Sequence, residues 1–209
     1  YDANNNIVKA IDGNGSTTTY VYDSLNRKVS ETDANGQTTR YQYNNQNLIT
    51  VLTDVRGNQT TYTYNDFGEL TQKFSPDSGF STFTYNNAGQ KISATRAYGT
   101  KLTFSYDVLN RLTTTSNQGN VLHQYTYDNC KNGQGRLCSV TDSSGTTVYK
   151  YHKTGQLKKK KVAISDDKYQ LSYEYDAAGR VKSIHYPSGL KVKYKVDKLG
   201  NFIAIKAKG

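Results

Sequence analysis

The chain has 209 residues, of which 34% are hydrophobic; it contains 19 Tyr but no Met or Trp, and its formal net charge is +10. The abundance of Thr, Asn, Ser and Gly excludes a mainly helical fold, and the many aromatic and β-branched residues argue against a disordered chain. No apolar run approaches the roughly 18 residues of a membrane-spanning helix, so we expect no membrane span.

A repeat of 21 to 24 residues runs through the whole chain, and about ten copies are present. Each copy contains an aromatic residue, a variable residue and an anchor residue, which is Tyr except in the last copy, where it is Val196. Side chains two positions apart on a strand point to the same face, so these positions predict a one-sided ladder of rings. The tyrosines of this ladder are Tyr20, Tyr22, Tyr41, Tyr43, Tyr62, Tyr64, Tyr85, Tyr106, Tyr125, Tyr127, Tyr149, Tyr151, Tyr173, Tyr175 and Tyr194.

Two turns divide each repeat into two strands. Four residues after the anchor stands a Gly or Asn, such as Asn26 or Gly68, and these residue types adopt positive φ at little cost. A second turn opens with Asp and closes with Gly at 12–15, 33–36, 54–57 and 142–145. We therefore predict an all-β fold in which tandem hairpins form one long, curved antiparallel sheet of about twenty strands, a single repeat array over residues 1–209.

The only two cysteines, Cys130 and Cys138, lie in a lengthened repeat of 24 residues. Residues 128–145 are predicted to form a longer hairpin whose strand ends face each other. Across a non-hydrogen-bonded antiparallel pair the spacing of Cβ atoms suits a disulfide, so we predict a disulfide formed in an export compartment. A pair of reduced, inert thiols is the alternative, and no neighbouring His or further Cys indicates a metal site.

Positive charge is concentrated in the terminal repeats, because residues 150–209 hold 15 basic and 5 acidic side chains, against 12 and 12 in residues 1–149. Four consecutive lysines at 158–161 stand where the repeat requires a strand, and strict alternation sends two of them to each face. Both faces are therefore predicted to reach water there, which favours a strip over a sandwich with a dry inner face. A candidate polyanion surface consists of Lys158, Lys159, Lys160, Lys161, Lys191, Lys193 and Lys195.

The motif Tyr-x-Tyr-Asp-x-x-Gly-Arg-Leu, seen as YDVLNRL at 106–112 and YEYDAAGRV at 173–181, resembles the Rhs or YD-repeat family. The resemblance covers essentially the whole chain. Members include bacterial polymorphic toxin shells, the cages of insecticidal toxin complexes and teneurin-like shells. The resemblance implies a β-strip that spirals into a hollow shell, and the chain is expected to be one part of such a shell.

The function expected from this resemblance is structural: a non-enzymatic segment of an exported, secreted or cell-surface protein, of bacterial origin, that encloses or displays a cargo such as a toxin domain. One alternative is an extracellular filament or adhesin subunit that assembles through open sheet edges. Another is a glycan-binding module that stacks sugars on tyrosine rings.

The expected partners are other repeats of the parent chain or further copies, an enclosed cargo and, at the lysines, a glycan or other polyanion, but no specific nucleic acid. No catalytic, cofactor or metal site is predicted. His123, His152 and His185 lie in different repeats without a companion acid and nucleophile.

Overall fold

The computed structural model describes residues 1–197 and 199–209, which form nineteen β-strands and no helix. The chain divides into two compact units, Tyr1–Leu102 and Thr103–Gly209. The prediction of an all-β fold built from tandem antiparallel hairpins is confirmed. About twenty strands were expected, and the difference arises because residues 1–8 contribute no strand ahead of β1.

In the first unit each strand pairs antiparallel with the next one along the chain, from β1 to β9. This order is what short hairpin turns dictate, since they place consecutive strands side by side. The strands are β1 (Lys9–Ile11), β2 (Thr17–Tyr22), β3 (Lys28–Thr32), β4 (Thr38–Tyr43), β5 (Ile49–Thr53), β6 (Gln59–Tyr64), β7 (Leu70–Ser75), β8 (Gly79–Tyr85) and β9 (Lys91–Thr95).

The second unit follows the same rule from β11 to β19. Its strands are β10 (Lys101–Tyr106, which starts two residues before the unit does), β11 (Leu112–Asn117), β12 (Asn120–Tyr127), β13 (Leu137–Asp142), β14 (Gly145–Tyr151), β15 (Leu157–Ile164), β16 (Asp167–Tyr175), β17 (Val181–His185), β18 (Lys191–Val196) and β19 (Phe202–Lys208).

A β-bulge accompanies the anchor residue of each repeat whose register is described. Tyr22 pairs with Lys28. The next pair is Val21 with Ser30, so Val29 is an extra residue without a partner on β2. Such a bulge bends the strand and increases its twist. The same shift occurs at Tyr43, Tyr64, Tyr85, Tyr127, Tyr151, Tyr175 and Val196. Strict alternation, assumed from the sequence, did not predict it.

The turn after the anchor is held by the Asp or Asn that follows it. The carboxylate of Asp23 accepts the backbone N–H groups of Leu25 and Arg27 at 2.9 and 3.0 Å. Asn26 has a φ of 60° in this turn, as predicted for the Gly or Asn position. The turn that follows Asp142 is tighter than the one that follows Asp12, because Asp142 pairs directly with Gly145 and only two residues lie between the strands.

The two faces of the sheet differ in chemistry. One face carries the tyrosine columns and is called the tyrosine face. The side chains that alternate with them point to the opposite face, which is rich in Thr, Ser and Lys. On β2, Tyr20 and Tyr22 are half-buried, whereas Val21 between them is 55% exposed. In the described part of the chain Cys138 is the one buried hydrophobic side chain. Cross-strand contacts therefore replace a packed core in each unit.

The turn at residues 12–16 offers a matched pair of glycines that tests this backbone geometry. Gly15 has a φ of +84°, Gly13 has no positive φ, and a Cβ at either position would meet no atom within 4 Å. We expect Gly15→Ala to destabilise the β1–β2 hairpin by about 1 kcal/mol because alanine is strained there, and Gly13→Ala to leave it unchanged or slightly stabilised. Hydrogen exchange of the β2 amides measures both, and equal effects would contradict the assigned turn.

Candidate functional site: tyrosine anchors and a lysine-lined cavity

The anchor tyrosines join each repeat to the one before it. The hydroxyl of Tyr64 donates a hydrogen bond to the backbone carbonyl of Ile49 at 2.9 Å. Ile49 is the residue opposite the preceding anchor, at the bulge. The corresponding bonds are Tyr22 to Ile7 (3.1 Å), Tyr43 to Lys28 (2.6 Å), Tyr85 to Leu70 (2.9 Å), Tyr127 to Leu112 (2.9 Å), Tyr151 to Leu137 (2.7 Å) and Tyr175 to Leu157 (2.9 Å).

The bulge explains why a side chain is needed at this place. The β5–β6 ladder starts at Val51, two residues beyond Ile49, so the Ile49 carbonyl lies outside the ladder. A backbone carbonyl that is partly buried and unpaired costs free energy, and the phenol of the next repeat supplies the missing donor. Burial raises the pKa of the Tyr64, Tyr85 and Tyr175 phenols above the ordinary value, so the hydroxyls remain donors at neutral pH.

Arginines in the turns add a second connection between repeats. The guanidinium of Arg27 forms an ion pair with Asp23 at 2.7 Å and lies over the ring of Tyr43, 4.8 Å from its centroid. Arg111 does the same with Asp107, at 2.7 Å, and with the ring of Tyr127, at 4.4 Å. The Tyr43 and Tyr127 rings are therefore held from two sides, by a carbonyl at the hydroxyl and by a cation at the ring face.

The other ladder tyrosines have a different role. Lys28 places its ammonium over both Tyr20 and Tyr41, 5.5 and 5.2 Å from the ring centroids, and Tyr194 packs edge-on against Phe202 at 5.9 Å. These rings cover the tyrosine face, whereas the anchor rings carry the hydrogen bonds to the preceding repeat. The sequence placed both columns on one face, but the hydroxyl bonds and arginine contacts of the anchor column were not foreseen.

The disulfide joins Cys130 to Cys138, with a Cα–Cα distance of 5.6 Å. Its position differs from the one expected, because the two cysteines do not face each other across a strand pair. Cys130 lies in the loop after β12, and Cys138 is the extra residue of the β13 bulge, between the paired Leu137 and Ser139. The disulfide therefore fixes a loop against a bulge.

The register also divides the predicted lysine surface. Lys159 and Lys161 pair with Lys150 and Val148 on the face opposite the tyrosines, whereas Lys160 pairs with Tyr149 and shares the tyrosine face. Lys158 is the extra residue of the bulge, so the expected two-and-two division does not occur. Lys191, Lys193 and Lys195 lie on the opposite face, paired in turn with Lys208, Lys206 and Ala204.

The sequence analysis missed further lysines on this opposite face, among them Lys150, Lys206 and Lys208. A signal was available for Lys150, because it stands between two ladder tyrosines and must point away from them. Lys150, Lys159 and Lys161, together with Lys131, Lys153 and Lys158, line a cavity of about 660 Å³ beside the disulfide loop.

One acidic side chain on the opposite face is paired with its neighbours. Glu174 accepts hydrogen bonds from the buried Ser183 hydroxyl at 2.6 Å and from Lys191 at 3.2 Å, and it lies 3.1 Å from His185 Nε2. These contacts, led by the bond from Ser183, lower the pKa of the Glu174 carboxyl to about 2. The cluster links three strands through hydrogen bonds to one carboxylate.

The described residues contain no group of three or more His, Cys, Asp or Glu side chains placed to hold a metal ion. They also contain no helix long and apolar enough to cross a membrane. His123, His152 and His185 lie on or beside different strands.

The family model described as Teneurin YD-shell matches residues 1–135 of the chain. The fold is shared with solved toxin structures: the TcdB2-TccC3 complex (16% identity, TM-score 0.60, 94% of this chain and 15% of that chain), the TcdB2-TccC3-Cdc42 complex (15%, 0.61, 94% and 14%) and the Tc holotoxin pore of Photorhabdus luminescens (14%, 0.60, 93% and 14%). This chain thus spans about one seventh of the length of those it matches. No curated protein sequence matches it significantly.

The hydroxyl bond of the anchor column is testable with two tyrosines on the same strand and the same face. Tyr64 donates to the Ile49 carbonyl, while the structure gives Tyr62 no such bond among the described residues. We expect Tyr64→Phe to lower the free energy of unfolding by about 1 kcal/mol, because it leaves a carbonyl unpaired. Tyr62→Phe should change it by only a few tenths. Urea denaturation measures both variants, and a Tyr62→Phe effect as large as that of Tyr64→Phe would contradict the assignment.

Proposed function

The chain belongs to the teneurin YD-shell family, and from that premise we propose that it is a non-enzymatic wall segment of a larger shell that encloses or displays a cargo such as a toxin domain. The observation that carries the proposal is the hydrogen bond that anchor tyrosines such as Tyr43, Tyr64 and Tyr85 donate to the bulge carbonyl of the preceding repeat. It ties repeat to repeat in addition to the strand ladders. The toxin complexes that share the fold support a cargo of this class.

A wall of paired strands contains by physical exclusion. Neighbouring strands lie about 4.8 Å apart, so a continuous ladder leaves no opening wide enough for a folded domain or a protease. Each strand from β11 to β19 pairs antiparallel with the next one along the chain. At the bulges, anchor tyrosines such as Tyr127, Tyr151 and Tyr175 add a hydrogen bond to the preceding repeat. Such a wall needs no catalytic residue to do its work.

The proposed location is secreted or cell-surface. The Cys130–Cys138 disulfide supports it, because disulfides persist mainly in oxidising compartments. Bacterial origin stays a prediction.

The proposal is tested on the parent polypeptide that contains these repeats. We expect its cargo to resist trypsin while the repeats are folded and to be digested once they are unfolded, since the wall excludes the protease. Weakening three anchor bonds with Tyr64→Phe, Tyr127→Phe and Tyr175→Phe should speed cargo digestion at least severalfold. The control carries Tyr62→Phe, Tyr125→Phe and Tyr173→Phe in the same strands and should digest as the wild type does. Equal digestion of the cargo in folded and unfolded protein would refute containment.

A filament or adhesin subunit remains the alternative from a different class. The exposed apolar side chains of Phe202 and Ile205 support it, because they are 70% and 66% exposed. Negative-stain microscopy of the parent protein separates the two: closed or curved particles support the wall, and long fibres support the filament. No contact in the described part of the chain favours a sugar-stacking role for the tyrosine face.

We also propose that the cavity lined by Lys131, Lys150, Lys153, Lys158, Lys159 and Lys161 binds a polyanion such as a sulfated polysaccharide. Six lysines that line one cavity create a positive potential that attracts anionic chains. Among the described residues that line this cavity none carries a carboxylate side chain, so no acidic side chain of the lining offsets the lysine charges.

Two triple variants that remove the same charge test this second proposal. Lys150→Gln, Lys159→Gln and Lys161→Gln change the cavity, whereas Lys160→Gln, Lys206→Gln and Lys208→Gln change lysines outside it. We expect the first set to weaken heparin binding by roughly tenfold at low salt, and the second set to weaken it far less. Equal losses would show a response to net charge alone and would overturn the assignment to the cavity.

A further inference from the structure

The last repeat lacks the ring that fills the same place in the repeats before it. Val196 stands at the anchor position and pairs with Phe202 across the same kind of bulge that Tyr151 and Tyr175 form with their partners. In its place lies an open cavity of about 480 Å³, lined by Val181, Ile184, Tyr194, Val196 and Phe202, with Arg180 at its edge. Its walls are thus almost wholly apolar and aromatic.

The Arg180 side chain lacks the aromatic ring that covers the corresponding arginines of other repeats. Its ion pair with Asp176 has the same 2.7 Å distance as the pairs Arg27–Asp23 and Arg111–Asp107. The side chain of Arg180 is nevertheless 41% exposed, against 23% for Arg27 and 22% for Arg111. Those two guanidinium groups lie over anchor tyrosine rings, and at residue 196 the ring is absent. The exposed guanidinium therefore presents a cationic surface ready for an aromatic face.

The carbonyl of Val181 occupies the position of the bulge carbonyls that accept a phenol hydrogen bond in other repeats. It corresponds to the carbonyls of Ile49 and Leu157, which bond to Tyr64 and Tyr175. The β17–β18 ladder begins at Ser183, so Val181 lies outside it. Valine at position 196 has no hydroxyl to donate. The cavity thus combines apolar walls, a cation beside them and a backbone acceptor near Val181.

We propose that this cavity is a binding site for a phenolic ring, with the hydroxyl donating to the Val181 carbonyl and the ring lying against the Arg180 guanidinium. The chemical class follows from the repeats themselves, where a tyrosine side chain occupies the equivalent place with these two contacts. Apolar cavities of about 150 Å³ already accept benzene, so a ring of this size fits. The ring is supplied either by a free small phenol or by a tyrosine of another polypeptide segment.

The probe for this site is p-cresol, which has the ring and hydroxyl of tyrosine without its backbone. In an NMR titration of the protein we expect saturable, millimolar binding with shifts at Val181, Val196 and Phe202. Toluene, which lacks the hydroxyl, should bind severalfold more weakly. N-acetyl-tyrosinamide separates the two sources. If it binds, a tyrosine of a polypeptide is supported as the occupant. If it does not bind although p-cresol does, a free phenol is supported. Absence of saturable p-cresol binding would overturn the proposal.

Variants of the cavity separate occupancy from misfolding. Val196→Tyr restores the anchor side chain and should abolish p-cresol binding while raising the melting temperature. Val196→Ala enlarges the cavity and should retain binding, which controls for the substitution itself. If Val196→Tyr does not fold, Arg180→Gln tests the site instead, because it leaves the cavity open and should weaken p-cresol binding severalfold. Binding to Val196→Tyr as strong as to the wild type, or no effect of Arg180→Gln, would contradict the site.

Discussion

The hydrogen bond between an anchor phenol and the bulge carbonyl of the preceding repeat is the interaction on which the rest of the structure depends. The fold has almost no buried core, since Cys138 alone is a buried hydrophobic residue among those described. Each bulge interrupts the ladder and leaves a carbonyl outside it, as at Ile49. The phenol of the next repeat donates a hydrogen bond to that carbonyl, so the bulge becomes a point of contact between neighbouring repeats. Stability in such an array is the sum of repeat and neighbour terms.

The turn arginines add further contacts to the same connections between repeats. Arg27 contacts the carboxylate of its own turn and the ring of the following anchor, so one side chain joins a turn to a neighbouring strand. An exposed ion pair alone contributes little. The ring adds a cation–π contact and covers the guanidinium, and this pairing of two weak interactions suits a sheet that faces water on both sides.

The sequence predicted the periodic features of the fold and missed those that break the period. The spacing of two between tyrosines predicted strands with a tyrosine face, because side chains alternate along a strand. The Asp residues and the Asn or Gly four residues after the anchor predicted turns, because these residue types favour turn conformations. The bulge was missed because an extra residue such as Val29 is of the same residue type as an ordinary strand residue, so the amino-acid pattern does not indicate it. Its consequences were missed with it: Lys158 occupies a bulge, and Cys138 bonds to a loop residue rather than to a cross-strand partner.

The connection between the last two repeats differs from the earlier ones because of one residue. Between the last two repeats the β18–β19 ladder and the Tyr194–Phe202 ring contact remain, but Val196 supplies neither a hydroxyl for the Val181 carbonyl nor a ring for Arg180. The side chain of Arg180 is 41% exposed, against 23% for Arg27, whose guanidinium lies over the Tyr43 ring. In an array whose stability is carried by neighbour contacts, a missing contact lowers the stability of the repeats that it would join. The tenth repeat therefore lacks two contacts that earlier repeats make, and it has room for an added ring.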